Sequence, residues 1–356
     1  MGVDMEADYT SFFLEGAHHR HDSFTAALQA TARMFGRESD YEQILAYSTN
    51  GFAPVVHPPE GCKSTWMMHG RGQCIDLVAD YLGLDAQERK YEDERPRPVL
   101  PPEEKRAFWR TPEGQKWNAE ADGFLRKQVS SALISGNVVL VDGGWCHHYH
   151  LWGVIRKIAE DGRAIGTALD GPKENELDHW RRVWVVAPKQ PSRTRADADR
   201  IMLGRALARI RGDAPPFLKD NAQQCIWGLE AMDLWIAQMR KPAFQEDDPG
   251  SSAFNARCCA AYSYDGANHT SSYLRRRIRG FPDAAREQLA AAAACYDRVA
   301  ELLAPFAHSA RAYEKLFSEK GLNVKHADDV LSKVKEELGK AAQELEATVK
   351  ILVGNA

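Results

Sequence analysis

The chain has 356 residues, 44% of them hydrophobic and 27% charged, with a formal net charge of -4. That length exceeds what one hydrophobic core usually fills, so two domains are expected. The slightly acidic balance argues against nucleic acid or an anionic membrane surface as a partner.

The opening residues Met1–Glu6 are acidic and carry no apolar run, so no secretory signal is expected. Glu6 stands where an N-myristoylation motif needs Ser or Thr. No stretch has the apolar length of a membrane span. Cysteines fall at 62, 74, 146, 225, 258, 259 and 295, an odd number without a Cys-x-x-Cys pair. Free thiols in a cytoplasmic protein are therefore expected rather than disulfides.

Residues 22 to 35 have helical spacing, with Phe24, Leu28, Thr31, Met34 and Phe35 near one face. Asp22 or Ser23 can cap that helix and Gly36 ends it. A short helix over Tyr41–Ala46 precedes a loop with Pro54, Pro58 and Pro59, and a further helix spans 72 to 82 before Gly83. Glu92 to Pro102, rich in proline and charge, reads as an exposed loop, and Glu120 to Leu133 returns to helical spacing.

The pattern then turns to β. Runs at 137–141, 150–155, 164–170 and 183–186 read as four strands, with Glu160-Asp161-Gly162-Arg163 as a hairpin turn between the second and third. Helices followed by closely spaced strands predict an α+β domain with a mostly antiparallel sheet over residues 1–190. From 191 to 356 the pattern is helical throughout, with helices expected at 197–211, 221–240, 268–279, 283–303 and 326–352. The last carries Val330, Leu331, Val334, Leu338, Ala341, Ala342, Leu345 and Val349 on one face, the pattern of a packed bundle helix.

Two histidine clusters stand at the edges of these elements. His18, His19 and His21 run into the first helix, and Cys146, His147, His148 and His150 lead into the second strand. On a strand Cys146, His148 and His150 share one face. Imidazole and thiolate together suit zinc, iron or copper, so His18, His19, His21, Cys146 and His148 form a candidate metal set, although no spacing matches a named zinc motif. Histidines in a solvated loop are the plain alternative.

The order of helix, late strand with His, and Asp one hairpin later resembles the papain-like superfamily. It is most similar to its bacteriocin-leader-peptidase branch and to butirosin-type acyltransferases. In that group a Cys opens the first helix in the pattern Cys-Gly-Pro-Ala-Ala-Leu. Here Ser23-Phe24-Thr25-Ala26-Ala27-Leu28 overlays it, with Gly36 after the helix. His150-Leu151-Trp152-Gly153-Val154 occupies the histidine strand, and Leu169-Asp170-Gly171-Pro172 the acid step. The resemblance covers residues 20 to about 187 and rests on these three short motifs.

It implies a papain-like N-terminal domain with a helical C-terminal extension, and acyl transfer or hydrolysis on a small-molecule or peptide-like substrate. Ser23 would be the nucleophile, His150 the base and Asp170 its orienter, with no cofactor required. The departure is Ser23 itself: a thiol ionises near neutral pH with help from a helix N-terminus, whereas a hydroxyl needs an aligned base. Serine at a lapsed nucleophile position, N-capping by Ser23, a structural His150 and a turn-forming Asp170 are the non-catalytic counterparts. Trp145 and Trp152 would wall the cleft or simply pack. Two further functions compete: a non-catalytic ligand- or metal-binding protein using the histidine clusters, and an interaction scaffold working through the helical half. Cys74, opening a helix, is a fallback nucleophile. Arg275-Arg276-Arg277-x-Arg279 reads as a solvated or ion-paired helix face rather than a nucleic-acid patch.

Overall fold

A computed structural model describes residues 22–57, 66–67, 75–96, 98, 100, 104, 107–146, 151–168, 174–180, 182–213, 226–240, 249–307 and 324–354. In chain order the first half runs α1 (Ser23–Met34), α2 (Tyr41–Tyr47), β1 (Val55–His57), β2 (Trp66–Met67), α3 (Ile75–Leu82), β3 (Leu84–Arg89) and α4 (Pro112–Ile134). Then follow β4 (Val138–Asp142), β5 (Trp152–Ile158), β6 (Ala164–Ala168), β7 (Asn175–Glu176) and β8 (Arg182–Pro188). The remainder is α5 (Arg195–Ile210), β9 (Ile226–Trp227), α6 (Gly228–Met239), α7 (Pro249–Arg277), α8 (Asp283–Ala307) and α9 (Val324–Gly354).

The described residues form two compact units. The first contains residues 23–39 and 82–191; the second contains Asp22, residues 40–81 and everything from Ser192 on. The sequence reading places one boundary at 190, whereas packing groups residues 40–81 with the C-terminal helices. No sequence period reports that grouping, because it arises from α2 packing on α5 and α7.

The first unit is an α+β layer structure built on an antiparallel six-stranded sheet, ordered β3-β8-β4-β5-β6-β7. Cross-strand pairs share a face, so the registers Leu140↔Val154 and Asp142↔Trp152 put Leu140, Val154 and Trp152 on one side. That side meets α1, where the Phe24 ring packs edge-on against Trp152 with centroids 5.0 Å apart. The other side carries Val139, Val141, Ile155, Val183 and Val185, which form a core with Leu125, Val129 and Ala132 of α4. With a helix on each face, β4 is buried on both, which explains its unbroken Val-Val-Leu-Val.

Local signals account for the ends of the elements. Gly36, at φ 66°, lets α1 close with Gly36 N–H to Arg33 C=O (2.8 Å) and Arg37 N–H to Ala32 C=O (2.9 Å), a Schellman ending. Thr111 caps α4 by accepting from Gly114 N–H at 3.2 Å, with Pro112 in the first turn where no N–H is needed. The hairpin joining β5 to β6 is where the sequence expects it, closed by Ala159 N–H to Arg163 C=O at 2.8 Å.

The fold differs from expectation in three places. β3, Leu-Asp-Ala-Gln-Glu-Arg, is too polar to read as a strand; it is an edge strand, where charge is tolerated. Helix α4 begins before residue 120 and α7 before residue 268, at a Thr-Pro cap and in a Gly/Ser-rich stretch respectively. The short strands β2-β1-β9 form a small sheet in the second unit, too brief to carry a period.

In the second unit, α7 packs on α8 and α8 on α9. The basic run on α7 is ion-paired as expected: Arg275 with Asp297, Arg276 with Asp40 (3.1 Å) and Glu42 (3.0 Å), and Arg277 with Asp199 (2.7 Å). No helix among the described residues is long and apolar enough to cross a membrane.

Candidate functional site

Ser23 is the first residue of α1, a helix whose positions 23 to 32 are all buried. The helix points its N-terminus at the start of β5. Gly143 N–H donates to Leu151 C=O at 2.9 Å, so positions 143 and 151 form a hydrogen-bonded pair and the next pair, Asp142↔Trp152, does not. The Trp152 N–H consequently points away from β4. Ser23 Oγ accepts it at 3.1 Å, and the serine is only 2% exposed. A helix start and a strand start far apart in sequence are thereby joined by one buried hydrogen bond.

Trp152 is the second residue after His150 in the chain, and Asp170 is the second after Ala168, the last residue of β6. Ala168 pairs with Gly153 at the same end of the sheet. His150 and Asp170 themselves lie outside the described residues, as do His18, His19, His21 and His148 and the fallback thiol Cys74. Of the two tryptophans, Trp145 is fully buried and Trp152 nearly so, both as packing. Trp145 lies across two strand glycines: a Cβ on Gly153 would fall 2.5 Å from its Cζ2, and one on Gly166 2.7 Å from its Cη2.

Cys146 is exposed, and its N–H donates to Glu176 C=O at 2.8 Å. Desolvation pushes its thiol pKa up, and the carboxylates of Glu176 and Asp178 add to the rise. Among the described residues no group of three or more His, Cys, Asp or Glu is placed to hold a metal ion.

The second unit contains a polar network that sequence reasoning missed. Asp22 N–H donates to Tyr41 Oη at 3.0 Å, and Tyr41 donates to Asp265 Oδ2 at 2.8 Å. Burial, followed by the Asp265 and Asp22 charges, pushes the Tyr41 pKa well up, so the phenol stays a donor. His269 lies between two carboxylates, with Nε2 3.3 Å from Asp265 Oδ1 and Nδ1 3.5 Å from Glu42 Oε1. The hydrogen bond from His269 is the main reason the Glu42 pKa falls to about 2, against a desolvation penalty. On the other side of Asp22, its Oδ2 accepts from Asn50 Nδ2 at 2.8 Å, and Asn50 Oδ1 accepts from Arg209 Nη1 at 2.9 Å. Arg209 is fully buried and lies 4.3 Å from the Trp227 ring centroid. The available signal was Ser48-Thr49-Asn50-Gly51, a run of turn-forming residues between α2 and β1.

The chain matches no protein-family model, and no curated protein matches it at a significant level.

Proposed function

We propose that the first unit performs acyl-group chemistry, transfer or hydrolysis, on a small-molecule or peptide-like substrate, in a papain-like cleft with Ser23 at the nucleophile position. The observation that supports this reading is the bond from Trp152 N–H to Ser23 Oγ at 3.1 Å. It ties the head of α1 to the strand that follows His150, the juxtaposition such a site requires.

On this reading Ser23 Oγ attacks the substrate carbonyl while its proton passes to His150, which Asp170 orients. The N–H groups in the first turn of α1 face the developing oxyanion. Collapse expels the leaving group with the histidine's proton and leaves an acyl-serine. Water or an acceptor nucleophile then releases the acyl group, so exclusion of water decides between hydrolysis and transfer. The Trp152 N–H occupies one Oγ lone pair and leaves the hydroxyl proton for a base.

A second reading, a non-catalytic protein that keeps the cleft as a ligand site, draws support from the same serine. A hydroxyl 2% exposed and bonded to main chain is a good structural tie and a poorly presented nucleophile. A serine-reactive fluorophosphonate separates the two. The acyl reading expects a covalent adduct on Ser23 that disappears in His150→Ala. If wild type and Ser23→Ala behave alike towards the reagent and towards acyl donors, the catalytic reading is wrong.

A further inference from the structure

Asp22 is the residue from which the chain enters α1, and groups from several distant segments hold it. Tyr41 Oη takes its N–H at 3.0 Å and Asn50 Nδ2 holds its carboxylate at 2.8 Å, while Asp265 and Arg209 stand behind those two. Asp22, Tyr41, Asp265 and Arg209 are all buried.

Asn50 is the joint of this arrangement. Its amide can point only one way, since a flip would set its NH2 against the Arg209 guanidinium and its carbonyl against the Asp22 carboxylate. The loop that carries it is held in an uncommon conformation. Thr49, a β-branched residue, has φ 62°, a left-handed geometry that is unfavourable for an L-residue. The same loop is closely enclosed: a Cβ on Gly51 would lie 2.4 Å from Thr270 Oγ1 and 3.0 Å from Gly266 O. Ser48 Oγ accepts the Asn50 N–H at 3.3 Å and donates to Leu45 C=O at 2.9 Å. If charge balance were the only purpose, a carboxylate at position 50 would serve Arg209 better. A neutral amide serves both partners at once.

We infer that Asn50 is a positioning residue: it transmits the fixed location of Arg209 to the Asp22 carboxylate and so fixes the Asp22 main chain.

The experiment measures amide hydrogen exchange at Asp22 in the full chain, with Ser23 labelling followed in parallel. Asn50→Ala removes both bonds and is expected to raise exchange at Asp22 roughly tenfold or more, with α8 and α9 unchanged. Asn50→Asp keeps the shape and the Arg209 partner, so it carries the test if the alanine variant misfolds. At pH 7.5 the introduced carboxylate repels Asp22 and protection falls. Near pH 5 two facing carboxyls share a proton, a donor is restored, and protection corrected for intrinsic rate returns towards wild type. A role confined to filling space predicts no such recovery. Asp22 protection equal to wild type in folded Asn50→Asp at both pH values would overturn the inference. If wild type shows the exchange pattern but Ser23 takes no label, the acyl reading fails and the tether stands.

Discussion

Replacing Ser23 by Ala tests the join between α1 and β5. Trp152 is 1% exposed and its N–H points away from β4, with Ser23 Oγ as its acceptor. Removing that oxygen strands a buried donor, which costs about 1–3 kcal/mol. Helix propensity opposes the loss, since Ala is better than Ser by up to about 0.5 kcal/mol. The net expectation is a loss of about 0.5–2.5 kcal/mol. At about 2–4 °C per kcal/mol for a unit of this size, the Tm should fall by roughly 1–10 °C. Thermal and urea unfolding followed by tryptophan fluorescence reads this directly, because Trp145 and Trp152 are buried in the same unit. The sign is what tests the bond: a serine that ties main chain loses stability on truncation, whether or not it also serves as a nucleophile. Unchanged or higher stability in Ser23→Ala would refute the join.

Gly153→Ala should destabilise the first unit by more than about 3 kcal/mol, since its Cβ would meet Trp145 at 2.5 Å and the Thr167 carbonyl oxygen at 2.6 Å; a urea midpoint close to wild type would contradict this packing. The Glu42 carboxyl titrates at about 2 in the folded protein against an ordinary 4.5, so its contribution is present above pH 4.5 and lost as the pH falls through 2. Glu42→Gln should therefore lower stability at pH 7 by about 1–2 kcal/mol, allowing for solvent screening, and the difference from wild type should vanish near pH 2. A difference that persists unchanged at pH 2 would place the effect elsewhere.

Much of the first unit was legible because its signals are local. Phe24 and Leu28 at helical spacing with Gly36 behind them define α1, and the β-branched runs at 138–142 and 182–188 define two inner strands. Polar β3 was not legible, because an edge strand needs no apolar face. The grouping of residues 40–81 with the later helices was equally hidden, since Tyr41 meets Asp265 and Tyr47 meets Asp199 across long stretches of chain. The candidate site was legible in part. Residue type marked Ser23, but its acceptor role towards Trp152 follows from the phase of a β-ladder, which a single sequence does not carry. Asn50 is of a type common in turns, so its residue type alone does not mark it; its two buried partners of opposite charge do.

The most direct test of the central claim is whether position 23 and His150 lie within reach of one another. In Ser23→Cys protein, 1,3-dibromoacetone alkylates the introduced thiol through one end of its three-carbon chain and carries a second electrophilic carbon at the other end. The expected product is an intramolecular bridge between the introduced sulfur and the His150 imidazole, seen by mass spectrometry as one cross-linked pair of peptides. An adduct confined to the introduced thiol, with His150 unmodified in folded protein, would contradict it.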